Sequence, residues 1–308
     1  MKNKIFGYGC KVITLAAQVG KLSYQLSDQQ RLGLPQGAEV IGFGSRFNAS
    51  FVSSDDKSIN GNSLITNSVG QGLYLNIRGW SDRTILANVN LFNFSWFPDF
   101  VGGNSFYNWQ PFIEPIAAEK ISWNRSNIFT SSEIANNLIE AGTDIELHVL
   151  YRTESTLEDY PQASQVYPNG VESIAYKTNS LEIPLSNAPQ IFFPFTQDGK
   201  SSINDDAVIF GIRALSLSYT TPSGRTRPNQ NTFGSTFITL QAGRTNILEN
   251  FPIRCLFGQR STLLPYFPLE PLLAGAINWQ DSKLFISDNS RDVSGTSILL
   301  NFYYQENC

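Results

Sequence analysis

The residues best suited to acid–base or metal chemistry in this chain are few and far apart. His148 is the single histidine of the 308 residues. A catalytic histidine needs a nucleophile and an orienting acid within reach, and no motif in the sequence signals either. His148 stands between Leu147 and Val149 in an alternating segment, which predicts a position on the solvent-facing side of a strand. One imidazole also falls short of the several histidines that barrel metal sites require.

Carboxylates provide no clearer candidate for catalysis. Neighbouring acids on a strand point to opposite faces, so the adjacent pairs are interpreted as solvated turns, with a cation site at a subunit contact as the alternative. These pairs are Asp55–Asp56, Glu158–Asp159 and Asp205–Asp206. Glu114 and Glu270 each precede a proline and could flank a sugar-cleaving cleft. They are instead interpreted as structural, because both belong to a repeated segment.

Thiols and sequence motifs also give no indication of an enzyme. Cys10, Cys255 and Cys308 are odd in number and lack metal-ligand spacing, so neither a disulfide framework nor a zinc site is expected. The chain contains no phosphate-binding G-x-x-x-x-G-K-S/T, no G-x-S-x-G and no H-E-x-x-H. We therefore predict a protein that is not an enzyme and that uses no cofactor or metal.

The composition favours an all-β fold. Charged residues make up only 16% of the chain, while 22 Phe, 12 Tyr and 5 Trp supply many strand-forming side chains. Short alternating runs such as 73–77 and 85–91 predict strands with one buried face, and a single short helix is expected at 132–141. The net charge of −4 argues against a whole-surface nucleic-acid binder, so no sequence-specific nucleic acid is expected.

The first 35 residues differ from the rest of the chain and are interpreted as an N-terminal arm. No acid precedes Asp28, and apolar residues at helical spacing between positions 12 and 22 predict a short amphipathic helix or a segment that orders on a partner. An arm packed on its own domain is the alternative. The lysines of this arm are Lys2, Lys4, Lys11 and Lys21. Lys11 interrupts the apolar stretch and no run could span a bilayer, so we expect an unprocessed, soluble chain.

An internal repeat predicts the architecture. Residues 114–129 align without a gap to 270–285, with seven of sixteen positions identical, and 142–151 align to 295–304. Two weaker blocks, 83–88 with 244–250 and 38–43 with 206–211, follow in the same order. The repeat pairs Glu114 with Glu270, Trp123 with Trp279, Phe129 with Phe285, and Tyr151 with Tyr304. Because these distinctive residues are copied, we interpret them as structural.

The repeat predicts two tandem antiparallel jelly-roll β-sandwiches. The expected division is an arm at 1–35, a first jelly roll at 36–153, a linker or surface excursion at 154–180, and a second jelly roll with the C-terminus at 181–308. Seven or eight short strands in about 120 residues suit such a sandwich.

A chain with two successive sandwiches, a free arm and no catalytic set resembles the double jelly-roll major capsid proteins. That family belongs to tailless icosahedral viruses with internal membranes and to adenovirus-type relatives, and the size and composition are similar to those of its bacteriophage members, including flavobacterial phages. The resemblance covers residues 36–305. It implies a homotrimer that forms a pseudo-hexameric capsomer, contacts to neighbouring capsomers and other capsid proteins, assembly in the host cytoplasm, and a place in the virion with the arm lysines facing an internal lipid membrane or the genome.

Two other classes of protein compete with this interpretation. A virion spike or vertex protein that binds a receptor would also be rich in strands. A duplicated carbohydrate-binding module or enzyme would carry a secretion signal and a tryptophan-lined cleft.

Overall fold

The computed structural model describes the larger part of the chain. The residues described are 3–16, 18, 21–29, 31–49, 73–81, 83–91, 96–98, 105–107, 110–130, 143–157, 176–186, 192–218, 220–221, 224–225, 236–256, 266–286 and 296–306.

The fold is all-β, as the composition predicts. Its strands are Asn3–Ala16 (β1), Ser23–Gln25 (β2), Glu39–Ala49 (β3), Leu73–Arg78 (β4), Thr84–Asn90 (β5), Trp96–Pro98 (β6), Ser105–Tyr107 (β7), Gln110–Ala117 (β8), Asn127–Thr130 (β9), Thr143–Leu157 (β10), Lys177–Pro184 (β11), Phe192–Pro194 (β12), Val208–Ser218 (β13), Thr220–Thr221 (β14), Gly224–Arg225 (β15), Thr236–Ala242 (β16), Thr245–Pro252 (β17), Phe267–Leu273 (β18), Lys283–Ile286 (β19) and Thr296–Gln305 (β20).

Helical structure in the described ranges is limited to 3-10 conformation. It comprises the turns Ala118–Lys120, Trp123–Arg125, Ile253–Leu256 and Ala274–Ala276, together with the single residue Leu91. The helix expected at 132–141 lies outside the described residues.

The amphipathic helix expected in the N-terminal arm is wrong, because β1 is an extended strand through Ala16. Burial follows a period of two from Ile5 to Cys10, with Ile5, Gly7 and Gly9 buried, and Ile13 is buried on the same side beyond the exposed Lys11. The β-branched residues and Gly7 and Gly9 disfavour a helix, and alternation suits a strand with one covered face. The arm therefore contributes a strand to the fold.

The chain divides into two compact units. The first unit consists of Cys10–Thr153, and the second consists of Met1–Gly9 together with Glu154–Cys308. The boundary within β1 gives its early residues to the second unit, where Tyr8 pairs with Leu248 and Gly9 with Glu249 in parallel to β17.

The first unit is a sandwich of two sheets. One sheet has the order β1-β10-β3-β8, with β1 contributing from Cys10 onward, and the other has the order β2-β9-β4-β5. Side chains from both sheets form one buried cluster, in which Phe43 of β3 and Val149 of β10 meet Leu75 of β4 and Ile128 of β9. Facing apolar sides of this kind provide the main stabilisation of a sandwich.

The second unit repeats this order of strands. Its sheets run β11-β20-β13-β18 and β12-β19-β16-β17. When the eight principal strands of each unit (β1–β5 with β8–β10, and β11–β13 with β16–β20) are numbered 1 to 8, both units have sheets of order 1-8-3-6 and 2-7-4-5. The extra hairpins β6–β7 and β14–β15 are insertions between principal strands.

The repeated sequence segments also make the same hydrogen bonds. The Ser126 hydroxyl donates to the Ser122 carbonyl (2.8 Å) and accepts from the Arg78 backbone N–H (3.1 Å). In the second unit, the Ser282 hydroxyl donates to the Asn278 carbonyl (2.7 Å) and accepts from the Gln241 N–H (3.1 Å). The isolated bridges Gly79–Ile121 and Ala242–Ile277 adjoin these bonds in the same way.

The backbone of the fifth principal strand bends at the same place in both units. Asn88 and Asn250 have φ values of 53° and 44°, which are costly for a residue other than glycine. Their N–H groups donate to the side chains of Asn76 and Thr239 on the neighbouring strand. The bend moves the predicted alternation of β5 out of phase, so Leu86 is partly buried and Ala87 is exposed.

The weakest repeat block has to be shifted by one residue. The sequence comparison pairs Ala38 with Asp206, whereas the structure makes Ala207 the equivalent of Ala38. The carbonyl of Ala38 accepts from Ala118 N–H at 2.8 Å, and the carbonyl of Ala207 accepts from Ala274 N–H at 2.8 Å. Both units then have a β-bulge before the same glycine, Gly42 or Gly211.

Candidate functional site

The repeated aromatic residues belong to the packing of their units. Trp123 and Trp279 are buried in the 3-10 connections, and the Trp279 indole N–H donates to the Ala274 carbonyl at 3.3 Å. Tyr151 and Tyr304 are buried on β10 and β20. Their burial leaves no face of these four rings open to a ligand.

Phe129 and Phe285 lie half-buried on the corresponding strands β9 and β19. Phe129 stacks on Tyr74 with ring centroids 5.3 Å apart, and Phe285 stacks on Phe192 at 5.2 Å. The exposed Phe192 also has the Lys283 ammonium 5.1 Å from its ring centroid. These pairs cover the sides of β9 and β19 that face away from the buried Ile128 and Leu284.

His148 does not lie on a solvent-facing side, so that expectation is wrong. The side chain is 0% exposed, and its Nε2 lies 3.5 Å from a carboxylate oxygen of Glu146. Leu150, two residues further along the same face of β10, is also fully buried. Both faces of this strand are covered, and glycines at the paired positions 44 and 42 leave room for the larger side chains.

The acidic and basic candidates have different environments. Glu114 on β8 is exposed, Glu270 on β18 is half-buried, and Asp205–Asp206 form an exposed turn. Lys11 and Lys21 are exposed, and the Lys21 ammonium lies 5.1 Å from the Tyr24 ring centroid. Lys2, the side chain of Lys4, Asp55–Asp56 and Glu158–Asp159 fall outside the described residues.

A groove of about 920 Å³ in the first unit is the site with the richest chemistry among the described residues. Its wall includes Trp80 and three cationic and two acidic side chains, which are Arg31, Arg83, Lys120, Glu114 and Glu119. Trp80 is 55% exposed, the largest exposed fraction among the large hydrophobic side chains described. We call this feature the Trp80 groove.

Three connections that are distant in sequence build the Trp80 groove together with the end of strand β8. The connections are the segment before β3, the β4–β5 turn, and the 3-10 turn after β8. The Trp80 backbone N–H donates to the Lys120 carbonyl at 3.1 Å, and its indole N–H donates to the Ile121 carbonyl at 3.1 Å. These two bonds hold the indole ring in place while leaving it open to solvent.

Sequence reasoning missed Trp80 because the search for repeated residues favours positions that both units share. The signal that the sequence does contain is that Trp80 has no aromatic counterpart in the second copy of the repeat. Gly243 occupies the equivalent position, since its N–H donates to the Ala276 carbonyl at 3.0 Å as Trp80 does to Lys120. The local sign is an aromatic residue, Trp80, beside Gly79 and Ser81, where turns usually carry a polar residue.

A second notable cluster consists of aromatic rings in the second unit. The Tyr266 and Tyr303 centroids are 4.7 Å apart, and Tyr176 lies 5.7 Å from Tyr303. Burial raises the pKa of the Tyr266 phenol above its ordinary value, and repulsion from the Tyr176 and Tyr303 phenolates adds to the shift. This favours the neutral form and gives no nucleophile at neutral pH.

Comparisons with known proteins add no relative. No family model, curated protein or solved structure matches the chain. Within the described ranges, no group of three or more His, Cys, Asp or Glu side chains could hold a metal ion. Nor does that part of the chain contain a helix long and apolar enough to cross a membrane.

Proposed function

We propose that this protein is a double jelly-roll major capsid protein that forms trimeric capsomers of an icosahedral virion. The observation that carries the proposal is the strand order 1-8-3-6 and 2-7-4-5, which occurs in both units. In this order the first and last strands are neighbours, as two interleaved Greek keys require, and this supports a jelly-roll arrangement in each unit. The repeated hydrogen bonds of Ser126 and Ser282 favour an origin by internal duplication.

Duplication gives this function a physical basis. A chain with two similar sandwiches offers two similar lateral surfaces, so three chains can form a closed ring with nearly sixfold contacts. Such a ring tiles a shell with hexagonal packing. The assembly would be stabilised by buried apolar and aromatic area, for which exposed side chains such as Phe192 and Tyr176 are available.

The native mass of the purified full-length chain tests this proposal. We expect a stable trimer near three times 34.3 kDa by light scattering, and a six-lobed ring in electron micrographs. A monomer at all concentrations would overturn the proposal and favour a binding module. A trimer present only at the vertices of the particle, as judged by copy number, would favour the spike alternative.

The proposal also assigns a membrane- or genome-facing role to the exposed lysines of the first 35 residues. Lys11 and Lys21 are the two whose exposure supports it. Each cation near an anionic bilayer contributes roughly 1 kcal/mol of attraction. The Lys11→Ala/Lys21→Ala variant loses two such cations, and we expect it to bind phosphatidylserine vesicles about thirtyfold more weakly in sedimentation. Lys200→Ala, which removes an exposed lysine of the second unit, should bind them as the wild type does. Equal binding by the double variant and the wild type would remove the lipid role.

A further inference from the structure

The Trp80 groove combines a rigid aromatic face with charges of both signs. The Trp80 ring is held through its indole N–H and its backbone, yet more than half of the side chain is exposed. A fixed, open indole loses little conformational entropy when a ligand stacks on it, because the ring is already ordered.

The second unit indicates that folding does not require these residues. Its equivalent turns make the same backbone hydrogen bonds with Gly243 in place of Trp80 and Ala276 in place of Lys120. The carboxylate of Glu119 is likewise missing there, because Gly275 follows Ala274 as Glu119 follows Ala118. Trp80, Glu119 and Lys120 therefore have no counterpart in the second unit, whereas two other groove residues, Arg83 and Glu114, correspond to Arg244 and Glu270.

The charges of the groove restrict the chemistry of its ligand. Arg31, Arg83 and Lys120 can donate hydrogen bonds to anionic or hydroxyl oxygens, and Glu114 and Glu119 can accept them. Among the described residues, the three cations and two carboxylates give this wall a net charge of +1, which suits a ligand with one negative charge and several hydroxyls. The edge strand β8 also lines the groove, so a peptide added at this sheet edge is the alternative occupant that the binding experiment distinguishes.

We propose that the Trp80 groove binds an acidic saccharide of the uronic acid class. The apolar C–H face of a pyranose ring would stack on Trp80, and its carboxylate would meet the guanidinium groups of Arg31 and Arg83. The sugar hydroxyls would donate to Glu114 and Glu119. This site is independent of the capsid proposal, because binding of a sugar in the groove and formation of a trimer are measured separately.

Titration calorimetry on the full-length protein with trigalacturonic acid tests the proposal. We expect saturable binding with one site per chain and weaker binding of the neutral galactose trisaccharide. Trp80→Gly, which introduces the residue of the second unit, should weaken binding by about fivefold or more, because the loss of a stacked ring is worth about 1 kcal/mol. Arg83→Ala should lose about tenfold or more with its charge-assisted hydrogen bond.

Matched controls come from the second unit. Arg244→Ala removes the arginine of the corresponding turn, and Phe192→Ala removes another exposed ring, so both should bind as the wild type does. Trp80→Phe keeps an aromatic face and should retain part of the affinity, which separates stacking from loss of folding.

Several results would overturn the proposal. Equal affinity for the neutral trisaccharide would contradict an acidic ligand. Absence of binding by the wild type, or unchanged binding by Trp80→Gly, would contradict a saccharide site in this groove. Binding of a peptide in the groove without saccharide binding would assign it to protein contacts instead. The native mass is measured separately and distinguishes these failures from failure of the capsid proposal.

Discussion

Phe43 lies directly opposite Val149 on neighbouring strands of the first unit, and the second unit reverses this pair. There, Ile212 of β13 lies opposite Phe302 of β20. In each unit the phenylalanine meets the tryptophan of the 3-10 connection edge to face, at 6.5 Å for Phe43 and Trp123 and at 5.2 Å for Phe302 and Trp279. Each core thus fills the space beside its tryptophan with a phenylalanine. In the first unit this residue comes from the third principal strand, and in the second unit it comes from the eighth.

This reversal predicts strong coupling between Phe43 and Val149. Phe43→Ile should leave a gap beside Trp123, and Val149→Phe alone should overpack the core, each costing about 1–3 kcal/mol of unfolding free energy. The double variant reproduces the arrangement of the second unit and should cost at least about 1 kcal/mol less than the sum. Urea unfolding checks this expectation. Additive losses would mean that the two cores are not interchangeable.

The buried hydroxyls of Ser126 and Ser282 should contribute equally to their units. Ser126→Ala removes the acceptor of the Arg78 N–H, and Ser282→Ala removes that of the Gln241 N–H. Leaving a buried N–H without its acceptor costs about 1–3 kcal/mol, so each variant should lower the denaturation midpoint. Ser23→Ala, at an exposed serine, is the control. A loss in only one unit would contradict the equivalence of the two connections.

The early residues of β1 should stabilise the second unit. Deletion of residues 2–8 removes the partner of Leu248 on β17 and exposes that strand edge. Hydrogen exchange should therefore accelerate in a peptide covering 245–252, while the β4–β5 hairpin of the first unit keeps its protection. Unchanged exchange at 245–252 would show that this pairing adds nothing to stability.

The pKa of Tyr266 predicts a loss of stability in alkaline solution. The folded-state pKa is raised above the ordinary 10.0, mainly by burial. As the pH rises past 10.0, the unfolded chain releases its phenolic proton while the folded chain still holds it. This difference favours unfolding until the phenol of the folded chain also ionises. Tyr266→Phe should flatten the fall in melting temperature between about pH 9.5 and 11, the range in which an unperturbed tyrosine phenol ionises. A slope equal to the wild type would contradict a role for Tyr266.

Much of the fold follows from local patterns in the sequence. The alternation of Leu73, Leu75 and Ile77 predicts a strand with one buried face, and all three are fully buried on β4. The repeated Trp123 and Trp279 predict packing, and both are buried. These predictions succeed because strand periodicity and the burial of large rings depend on neighbouring residues along the chain.

Only the tertiary structure decided which faces are covered and which distant residues meet. His148 is buried because the second face of β10 is covered, and strand periodicity alone does not indicate that. Helical spacing in the arm is overridden because β1 finds strand partners far along the chain. Arg31, Trp80 and Lys120 meet in one groove because three connections share an end of the first unit. Such relations arise from non-local pairing, whose partners the local sequence does not specify.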